Sequence, residues 1–282
     1  MSRPRASGQF LAGTRGPLAT VVWEPPEHVQ SRFAVLYVPP FGDEMNKSRR
    51  MAALQARSFA ATGAVVALLD PFGTGDSGGD HGEATWVQWQ DDVLRAWEWL
   101  GTHCDQPRVI WGARLGALLA VELVSTARLS PAATVLWQPV PSGRAFFTQL
   151  LRLATVQQLA AIGAGGNAVR ATLATGSAVE VGGYELNPAL VAGAEAIDLA
   201  GVQALPSPVV WRETSSAATP ALSPATAAIA ARWKEHRVDL DVAAVSGPSF
   251  WATQEIAEAP ELIAATTAAV VRLFPVERGA TP

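Results

Sequence analysis

Apolar and polar residues alternate along the chain with two different periods, and these periods predict its elements. Two-residue alternation around positions 9–11 and 18–23 predicts antiparallel strands that end before a Pro-Pro pair. Short apolar runs bounded by glycine and proline follow, separated by amphipathic segments with helical spacing. The predicted strands are 33–38, 64–69, 109–111, 134–137, 209–211 and 242–245, and the predicted helices are 44–61, 86–100, 115–126, 225–236 and 255–274. Such alternation predicts an α/β fold with a mostly parallel, mixed sheet and helices on both faces.

Residues 139–206 follow a different pattern. They are rich in alanine, leucine and glycine, have helical spacing at 146–159 and 187–200, and contain no obvious strand. We therefore predict a helical cap insertion at 139–206 that covers one end of the sheet. The core would then comprise residues 1–138 and 207–282, which suits one domain with an insertion.

Composition excludes several classes of protein. Of the 282 residues, 49% are hydrophobic and 16% are charged, so the chain can bury a large core. A net charge of −4 gives no general attraction to nucleic acid or to acidic membrane surfaces. No apolar run approaches the roughly 18 residues of a transmembrane helix, and residues 1–16 lack the apolar stretch of a signal peptide. A single cysteine, Cys104, excludes an intrachain disulfide and a multi-cysteine metal site. We expect a cytoplasmic protein without a metal or another cofactor.

A strand, turn and helix at 109–116 have the glycine spacing of a nucleophile elbow, G-x-S-x-G. Gly112 and Gly116 suit such a turn because side chains there would collide with the helix behind it. The central residue stands at a helix N-terminus, where backbone N–H groups can stabilise an oxyanion. Here that residue is Arg114, whose guanidinium keeps its proton and cannot attack a carbonyl as serine does. Arg114 either points into a pocket and binds an anion, or lies on the surface of an ordinary turn.

Two further loops precede this turn, in the chain order expected of a protein with a nucleophile elbow. The segment 70–77 has the pattern D-x-x-G-x-G-x-S, and the segment 39–42, Pro-Pro-Phe-Gly, stands where a second oxyanion donor is expected. Together the three loops resemble those of α/β-hydrolases, which implies the α/β-hydrolase fold. The residues expected to contact a ligand are Phe41, Gly42, Glu44, Asn46, Ala113, Arg114 and Leu115.

At a finer level the chain resembles the exosortase A system-associated hydrolase 2 family. The resemblance is carried by residues 39–50, 70–79, 112–116, 183–186, 250–251 and 255–256. It implies a bacterium that uses exosortase to sort envelope proteins and exports an exopolysaccharide. It also implies a protein partner in one of these pathways, and a hydrolase by family name.

The histidine of a Ser-His-acid triad is missing from its expected position. In α/β-hydrolases the chain order is nucleophile, acid, histidine, and we expect the histidine after the last strand. Residues 246–251 contain none. The four histidines are His28, His81, His103 and His236. The acid position after the strand 209–211 offers Glu213, which is either a loop carboxylate in a salt bridge or a partner of Arg114.

His81 suggests an alternative site. It follows the glycine-rich loop and stands among three carboxylates at 76–83, a cluster that suits an acid–base pair, a divalent metal or a solvated turn. Ser77 and Ser249 have no base assigned to them and are poor nucleophiles, and Ser77 is expected to fix its loop.

The segment 43–50 also has two interpretations. Its two acidic residues suit a helix N-terminus, and the basic residues after them form a positively charged turn. The segment is either a capped, solvated helix start, or Asn46 or one of the basic side chains reaches the pocket and holds an anion together with Arg114.

Two functions are compatible with these residues. One is an atypical hydrolase or transferase that acts on an ester, a thioester or an envelope-glycan intermediate. It would use a water nucleophile, polarisation by Arg114 and backbone N–H groups, and His81, Glu44 or Glu213 as base. The other is a catalytically inactive protein that binds a small anionic molecule, or a partner of the polysaccharide machinery, under the cap. The missing triad favours binding, and the family name favours hydrolysis.

Overall fold

One eight-stranded sheet forms the centre of the protein, whose computed structural model describes residues 3–159 and 166–275. The strands in chain order are β1 (Arg5–Ala12), β2 (Pro17–Glu24), β3 (Phe33–Val38), β4 (Ala64–Leu69), β5 (Arg108–Ala113), β6 (Ala133–Trp137), β7 (Val179–Val181), β8 (Tyr184–Leu186), β9 (Val209–Ser215) and β10 (Leu240–Ser246). The helices are α1 (Asp43–Ala61), α2 (Trp86–His103), α3 (Leu115–Ser125), α4 (Gly143–Leu159), α5 (Gly166–Ala174), α6 (Pro188–Glu195), α7 (Pro224–Glu235) and α8 (Pro260–Leu273).

The strand order across the sheet is β1-β2-β4-β3-β5-β6-β9-β10. β1 pairs with β2, and β2 with β4, in the antiparallel direction, whereas all other neighbours in this sheet are parallel. Parallel strands are covered on both faces, so their sequences are almost continuously apolar; all six residues of β3 and all five of β6 are buried. The predicted α/β fold, with a mostly parallel mixed sheet and helices on both faces, is confirmed.

Two hydrophobic cores lie on the two faces of the sheet. In β3, Leu36 belongs to the core shared with α2 and α3, whereas Val35 belongs to the core shared with α1 and α8. The second core contains a T-shaped pair of indole rings, Trp111 and Trp137, with centroids 4.7 Å apart. The indole N–H of Trp137 donates a hydrogen bond to Thr266 of α8 at 2.9 Å, which satisfies its only polar atom.

The predicted start of the last helix is wrong. The helix was expected from residue 255, but α8 begins at Pro260. Proline suits the first helical position and drives the preceding residue out of the helical region, and Ala259 accordingly has φ −124° and ψ 78°. The helix predicted at 187–200 also ends early, at Glu195, and a short 3₁₀ turn follows at Leu199–Gly201.

The segment between β6 and β9 contains a β-hairpin besides its helices. β7 and β8 pair in the antiparallel direction, with Val179 opposite Leu186. Gly182 and Gly183 form the turn with φ values of 60° and 83°, which a two-residue hairpin turn of type I′ requires at both positions. The expectation of no strand in this segment is therefore wrong. A Gly-Gly pair between two short alternating stretches is the signal that predicts such a hairpin.

The division into a core and a cap stays a prediction. Of the segments assigned to them, residues 1–2, 160–165 and 276–282 lie outside the described residues. No helix within residues 3–159 and 166–275 is both long enough and apolar enough to cross a membrane.

Candidate functional site

The turn between β5 and α3 has the tight geometry of a nucleophile elbow. Arg114 has φ 52° and ψ −121°, a conformation that residues other than glycine rarely adopt. A Cβ atom on Gly112 would lie 2.5 Å from the Cα atom of Ala117, and one on Gly116 would lie 2.5 Å from the carbonyl oxygen of Val38. Close approach of the backbone therefore requires glycine on both sides of Arg114.

Three neighbours hold the Arg114 side chain. Its Nη2 and Nε atoms donate hydrogen bonds to the Glu44 carboxylate at 2.9 Å and 3.2 Å, and Nη1 donates to the backbone carbonyl of Gln138 at 3.3 Å. The guanidinium carbon lies 4.9 Å from the ring centroid of Trp251, a cation–π distance. Only 17% of the side chain is exposed. These contacts disagree with the interpretation that Arg114 lies on the surface of an ordinary turn.

Trp251 lies in the segment after β10, where a triad histidine is expected. Its ring meets Phe250 edge-on with centroids 5.1 Å apart, and Phe250 in turn packs against Trp137 at 6.0 Å. The indole is thus fixed from behind by the core and presents its face to the Arg114 guanidinium. Arg114 of the elbow turn is therefore in contact with an aromatic residue of the segment that follows the last strand.

Glu44 is the carboxylate that balances Arg114. It stands in the first turn of α1, where the helix dipole favours a negative charge, and its side chain is 22% exposed. Burial raises the pKa of Glu44, and the adjacent Arg114 opposes that rise by favouring the ionised form. Beside this pair, Lys47 and Asp43 form a second ion pair at 2.8 Å. Two ion pairs therefore lie at the start of α1, one formed within the helix and one between Glu44 and Arg114.

These groups line a cavity of about 560 Å³, within the size range of small-molecule sites. Loops that follow β3, β5 and β10 supply one side, and α4 and the β7–β8 hairpin supply the other. The lining combines aromatic and apolar surface with a few convergent polar groups. The lining residues are Phe41, Gly42, Asp43, Glu44, Lys47, Arg114, Phe146, Gln149, Leu150, Val181, Gly182, Tyr184, Trp251 and Ala252.

The structure brings together four of the residues that the sequence analysis assigned to the pocket, namely Phe41, Gly42, Glu44 and Arg114. Ala113 and Leu115 are buried and are not among the lining residues, although the N–H of Leu115, at the start of α3, has no acceptor within its helix. Asn46 donates a hydrogen bond from its side-chain amide to the Tyr184 hydroxyl at 2.9 Å and so contacts the hairpin instead.

Sequence reasoning missed most of the cavity wall. The residues contributed by α4 have no chemical motif, because helical spacing alone does not say which helix faces the elbow. Tyr184 and Trp251 belong to segments that carry the family resemblance, and their aromatic character was the available signal. Lys47 is one of the basic side chains that the analysis of segment 43–50 allowed to reach the pocket. The other missed lining residues are Asp43, Phe146, Gln149, Leu150, Val181, Gly182 and Ala252.

Glu213 has a structural role and is not the partner of Arg114. Its side chain is buried in β9, with 3% of the residue exposed. One carboxylate oxygen accepts a hydrogen bond from the Ser223 backbone N–H at 3.1 Å, and the other accepts from the Thr226 hydroxyl. These bonds tie Glu213 to the start of α7, where a carboxylate is favoured by the helix dipole.

His81 joins the glycine-rich loop to the hairpin. Its Nδ1 atom lies 2.8 Å from the carbonyl oxygen of Glu185, and its ring packs edge-on against Phe41 and Tyr184. Burial lowers the pKa of His81, and the bond to Glu185 partly opposes this. His81 does not line the cavity. Within the described ranges no group of three or more His, Cys, Asp or Glu side chains could hold a metal ion.

Ser77 fixes its loop, as expected. Its hydroxyl donates to the backbone carbonyl of Asp70 and accepts a hydrogen bond from the backbone N–H of Ala19 at 2.8 Å. These bonds connect the glycine-rich loop to β2, so this serine stabilises the backbone and is not free to act as a nucleophile.

Known proteins resemble this chain in structure but not in sequence. No protein-family model matches the chain, and no curated protein matches it in sequence. Among solved structures, a serine hydrolase without a lid from Xanthomonas campestris is 18% identical, with 99% of this chain and 97% of that chain covered and a TM-score of 0.58. Est1E from Butyrivibrio proteoclasticus, bound to ferulic acid, is 13% identical (94% and 98% covered, TM-score 0.66). A soluble variant of the monoglyceride lipase from Saccharomyces cerevisiae, bound to a substrate analogue, is 12% identical (98% and 97% covered, TM-score 0.66).

This protein has the α/β-hydrolase fold. Because the identities are low, the likeness extends to the fold and not to an activity. In an α/β-hydrolase the elbow carries the nucleophile, which sits at the top of the sheet beside the oxyanion hole. In this α/β-hydrolase fold the same turn carries Arg114.

Proposed function

We propose that this protein binds a small anionic molecule in the cavity of about 560 Å³ and does not carry out the serine-hydrolase reaction. The observation that supports this most directly is the contact between Arg114 and Trp251. Arg114 stands in the turn where a nucleophile is expected and Trp251 in the segment where a histidine is expected, and neither side chain can perform the corresponding role. A guanidinium retains its proton at physiological pH, and an indole N–H has no basic lone pair.

His81, whose ring contacts two residues of the cavity wall, does not replace the missing base. The His81 ring packs edge-on against Phe41, and its Nδ1 atom is engaged by the Glu185 carbonyl. A general base needs to lie within hydrogen-bond reach of the proton it abstracts, either directly or through one water. His81 is not among the residues that line the cavity, so binding is the better supported function.

The lining indicates an amphipathic ligand. Phe41, Phe146, Leu150 and Trp251 offer apolar and aromatic surface, and polar groups converge where Arg114 lies. Such a site suits a molecule with an apolar body and one acidic group that accepts hydrogen bonds from the guanidinium.

The pathway belongs to the same proposal and rests on resemblance. The segments shared with the exosortase A system-associated hydrolase 2 family include 183–186 and 250–251, which supply Tyr184 and Trp251 to the cavity wall. We propose that the ligand or a protein partner belongs to the exopolysaccharide or protein-sorting machinery of a bacterium.

The test is a calorimetric titration with octanoate, which joins a carboxylate to an apolar chain. The wild-type protein should bind it, and Arg114→Ala should weaken binding by about 10-fold to 100-fold, because a hydrogen bond to a charged group contributes about 1.5–3 kcal/mol. Arg57→Ala, which removes an exposed arginine of α1, is the matched control and should bind as the wild type does. Equal affinity of the wild type and Arg114→Ala would contradict the proposal.

A second candidate, atypical ester or thioester hydrolysis, is favoured by one observation. Glu44 lies in the cavity with a pKa raised by burial, as is typical of general bases. Hydrolysis of p-nitrophenyl octanoate and of an octanoyl thioester should be compared in the wild type, Glu44→Gln and Glu258→Gln. We expect no turnover in any of them. Turnover that Glu44→Gln alone abolishes would replace the binding proposal with the hydrolytic one.

A further inference from the structure

The charges around the cavity are already balanced within the protein. Arg114 pairs with Glu44 at 2.9 Å, and Lys47 pairs with Asp43 at 2.8 Å. The described lining therefore carries two positive and two negative side chains, which leaves no net positive charge among them to attract an anion. An anion that enters with no other change makes the cavity net negative, which is costly in a partly desolvated site.

We infer that an anionic ligand enters this cavity together with one proton, which Glu44 takes up as the ligand replaces its carboxylate on Arg114. This inference rests on the proposed function. Glu44 then acts as a built-in substitute for the acid group of the ligand, occupying the Arg114 guanidinium while the cavity is empty.

The hydrogen bonds of Arg114 support replacement. A guanidinium has five N–H groups, and Glu44 accepts from those on Nε and Nη2, while Gln138 accepts from one on Nη1. The two-point geometry that carboxylates prefer on arginine is thus filled by the protein's own carboxylate. A ligand carboxylate gains the same two bonds by taking the place of Glu44.

The other charged or titratable groups on the elements around Glu44 are paired or lie outside the cavity lining. Arg49 and Arg50 of α1 pair with Asp70 and Glu258. His81, which packs against Phe41 and Tyr184, is not a lining residue. On α1, Lys47 is held by Asp43, and on the hairpin Tyr184 is a phenol whose pKa is raised by burial. Among the described lining residues, those from α4 and from the segment after β10 are not titratable: Phe146, Gln149, Leu150, Trp251 and Ala252.

Proton uptake by Glu44 restores the balance. Burial already raises the pKa of this carboxyl, and Arg114 is what opposes the rise. When the ligand takes over Arg114, that opposition ends and the pKa of Glu44 rises further. The proton comes from solvent and resides on a Glu44 oxygen, while the ligand stays ionised and accepts the N–H groups of Arg114. No covalent bond is formed or broken.

The experiment is calorimetric titration of the purified protein with octanoate in two buffers of different ionisation enthalpy, from about pH 5 to about pH 8. Wild-type protein should take up close to one proton for each octanoate bound in the upper part of this range. Its affinity should fall by up to about 10-fold per pH unit as pH rises, because each binding event consumes one proton. Octan-1-ol, which carries no charge, should bind without proton uptake.

Glu44→Gln removes the proton acceptor but keeps an oxygen that can accept from Arg114. This variant should bind octanoate without proton uptake, with an affinity independent of pH, and at about pH 8 at least 10-fold more tightly than the wild type. Glu258→Gln is the control. It removes an exposed carboxylate that pairs with Arg50 of α1, the helix that also contains Glu44, and it should behave like the wild type.

The outcomes separate the inference from the proposed function. Octanoate binding by the wild type without proton uptake, or with the same uptake in Glu44→Gln, would overturn the inference and leave the binding function standing. No octanoate binding by either protein over the whole pH range would overturn both.

Discussion

The strength of the Arg114–Glu44 pair is open to direct measurement. The two side chains are 17% and 22% exposed and meet at 2.9 Å. Two unit charges about 4 Å apart attract by about 4 kcal/mol at an effective dielectric constant of about 20. Desolvation and lost side-chain freedom offset part of this, and measured couplings run from below about 1 kcal/mol for exposed pairs to several kcal/mol for buried ones. We expect a coupling free energy of about 2 kcal/mol.

The assay is a double-mutant cycle on the free energy of unfolding in urea. Wild type, Arg114→Met, Glu44→Gln and the double variant supply the four corners, and methionine keeps an apolar side chain over Trp251. Arg114→Met should lose the most stability relative to the wild type at neutral pH, because it leaves a buried carboxylate without its counter-charge. Protonation of Glu44 at lower pH removes that cost, so the stability difference from the wild type should shrink as pH falls.

The matched control is the Arg5–Glu24 pair on β1 and β2. Its atoms meet at 2.7 Å, but its side chains are 74% and 34% exposed. The same cycle with Arg5→Met and Glu24→Gln should give a much smaller coupling, because solvent screens this exposed pair. A coupling of Arg114 with Glu44 no larger than that of the control pair would refute the claim that this ion pair is desolvated and fixed.

Three further expectations concern the frame around the site. Gly116→Ala should destabilise the protein by about 3 kcal/mol or prevent folding, because the added methyl group would meet backbone carbonyl oxygens, whereas Gly8→Ala has open space and should leave the melting temperature nearly unchanged. Burial raises the pKa of Asp92, so its contribution to stability should be largest below its ordinary pKa and be lost as pH rises through the raised value. Asp92→Asn should flatten this pH dependence of the free energy of unfolding in urea. An unchanged pH profile would count against this assignment. Tyr184→Phe removes the hydroxyl bonded to Asn46 and should speed amide hydrogen exchange in residues 179–186, with protection elsewhere unaltered; equal exchange rates would show that this bond does not hold the hairpin.

The elements of the sheet follow from local patterns. The strands β3 and β4 have the predicted bounds, since continuous apolar runs with flanking glycine and proline are typical of buried parallel strands. The wrong start of the last helix also has a local cause. A proline disfavours the helical conformation in the residue before it, so the start at Pro260 could have been predicted from the sequence alone. The hairpin turn at Gly182 and Gly183 carried a recognisable signal as well.

The absence of a catalytic serine and histidine from their expected positions is a property of the sequence, since it depends only on which residues occupy the elbow and the segment after the last strand. Which carboxylate meets Arg114 is decided by the tertiary structure. Glu213 and Glu44 were both available, and the chain brings Glu44, 70 residues away, to the guanidinium while Glu213 anchors α7. Spacing along the chain specifies elements, but contacts between elements depend on how the sheet orders its strands and aims each loop. The cavity, its balanced charges and the contact with Trp251 therefore exist only in the folded protein.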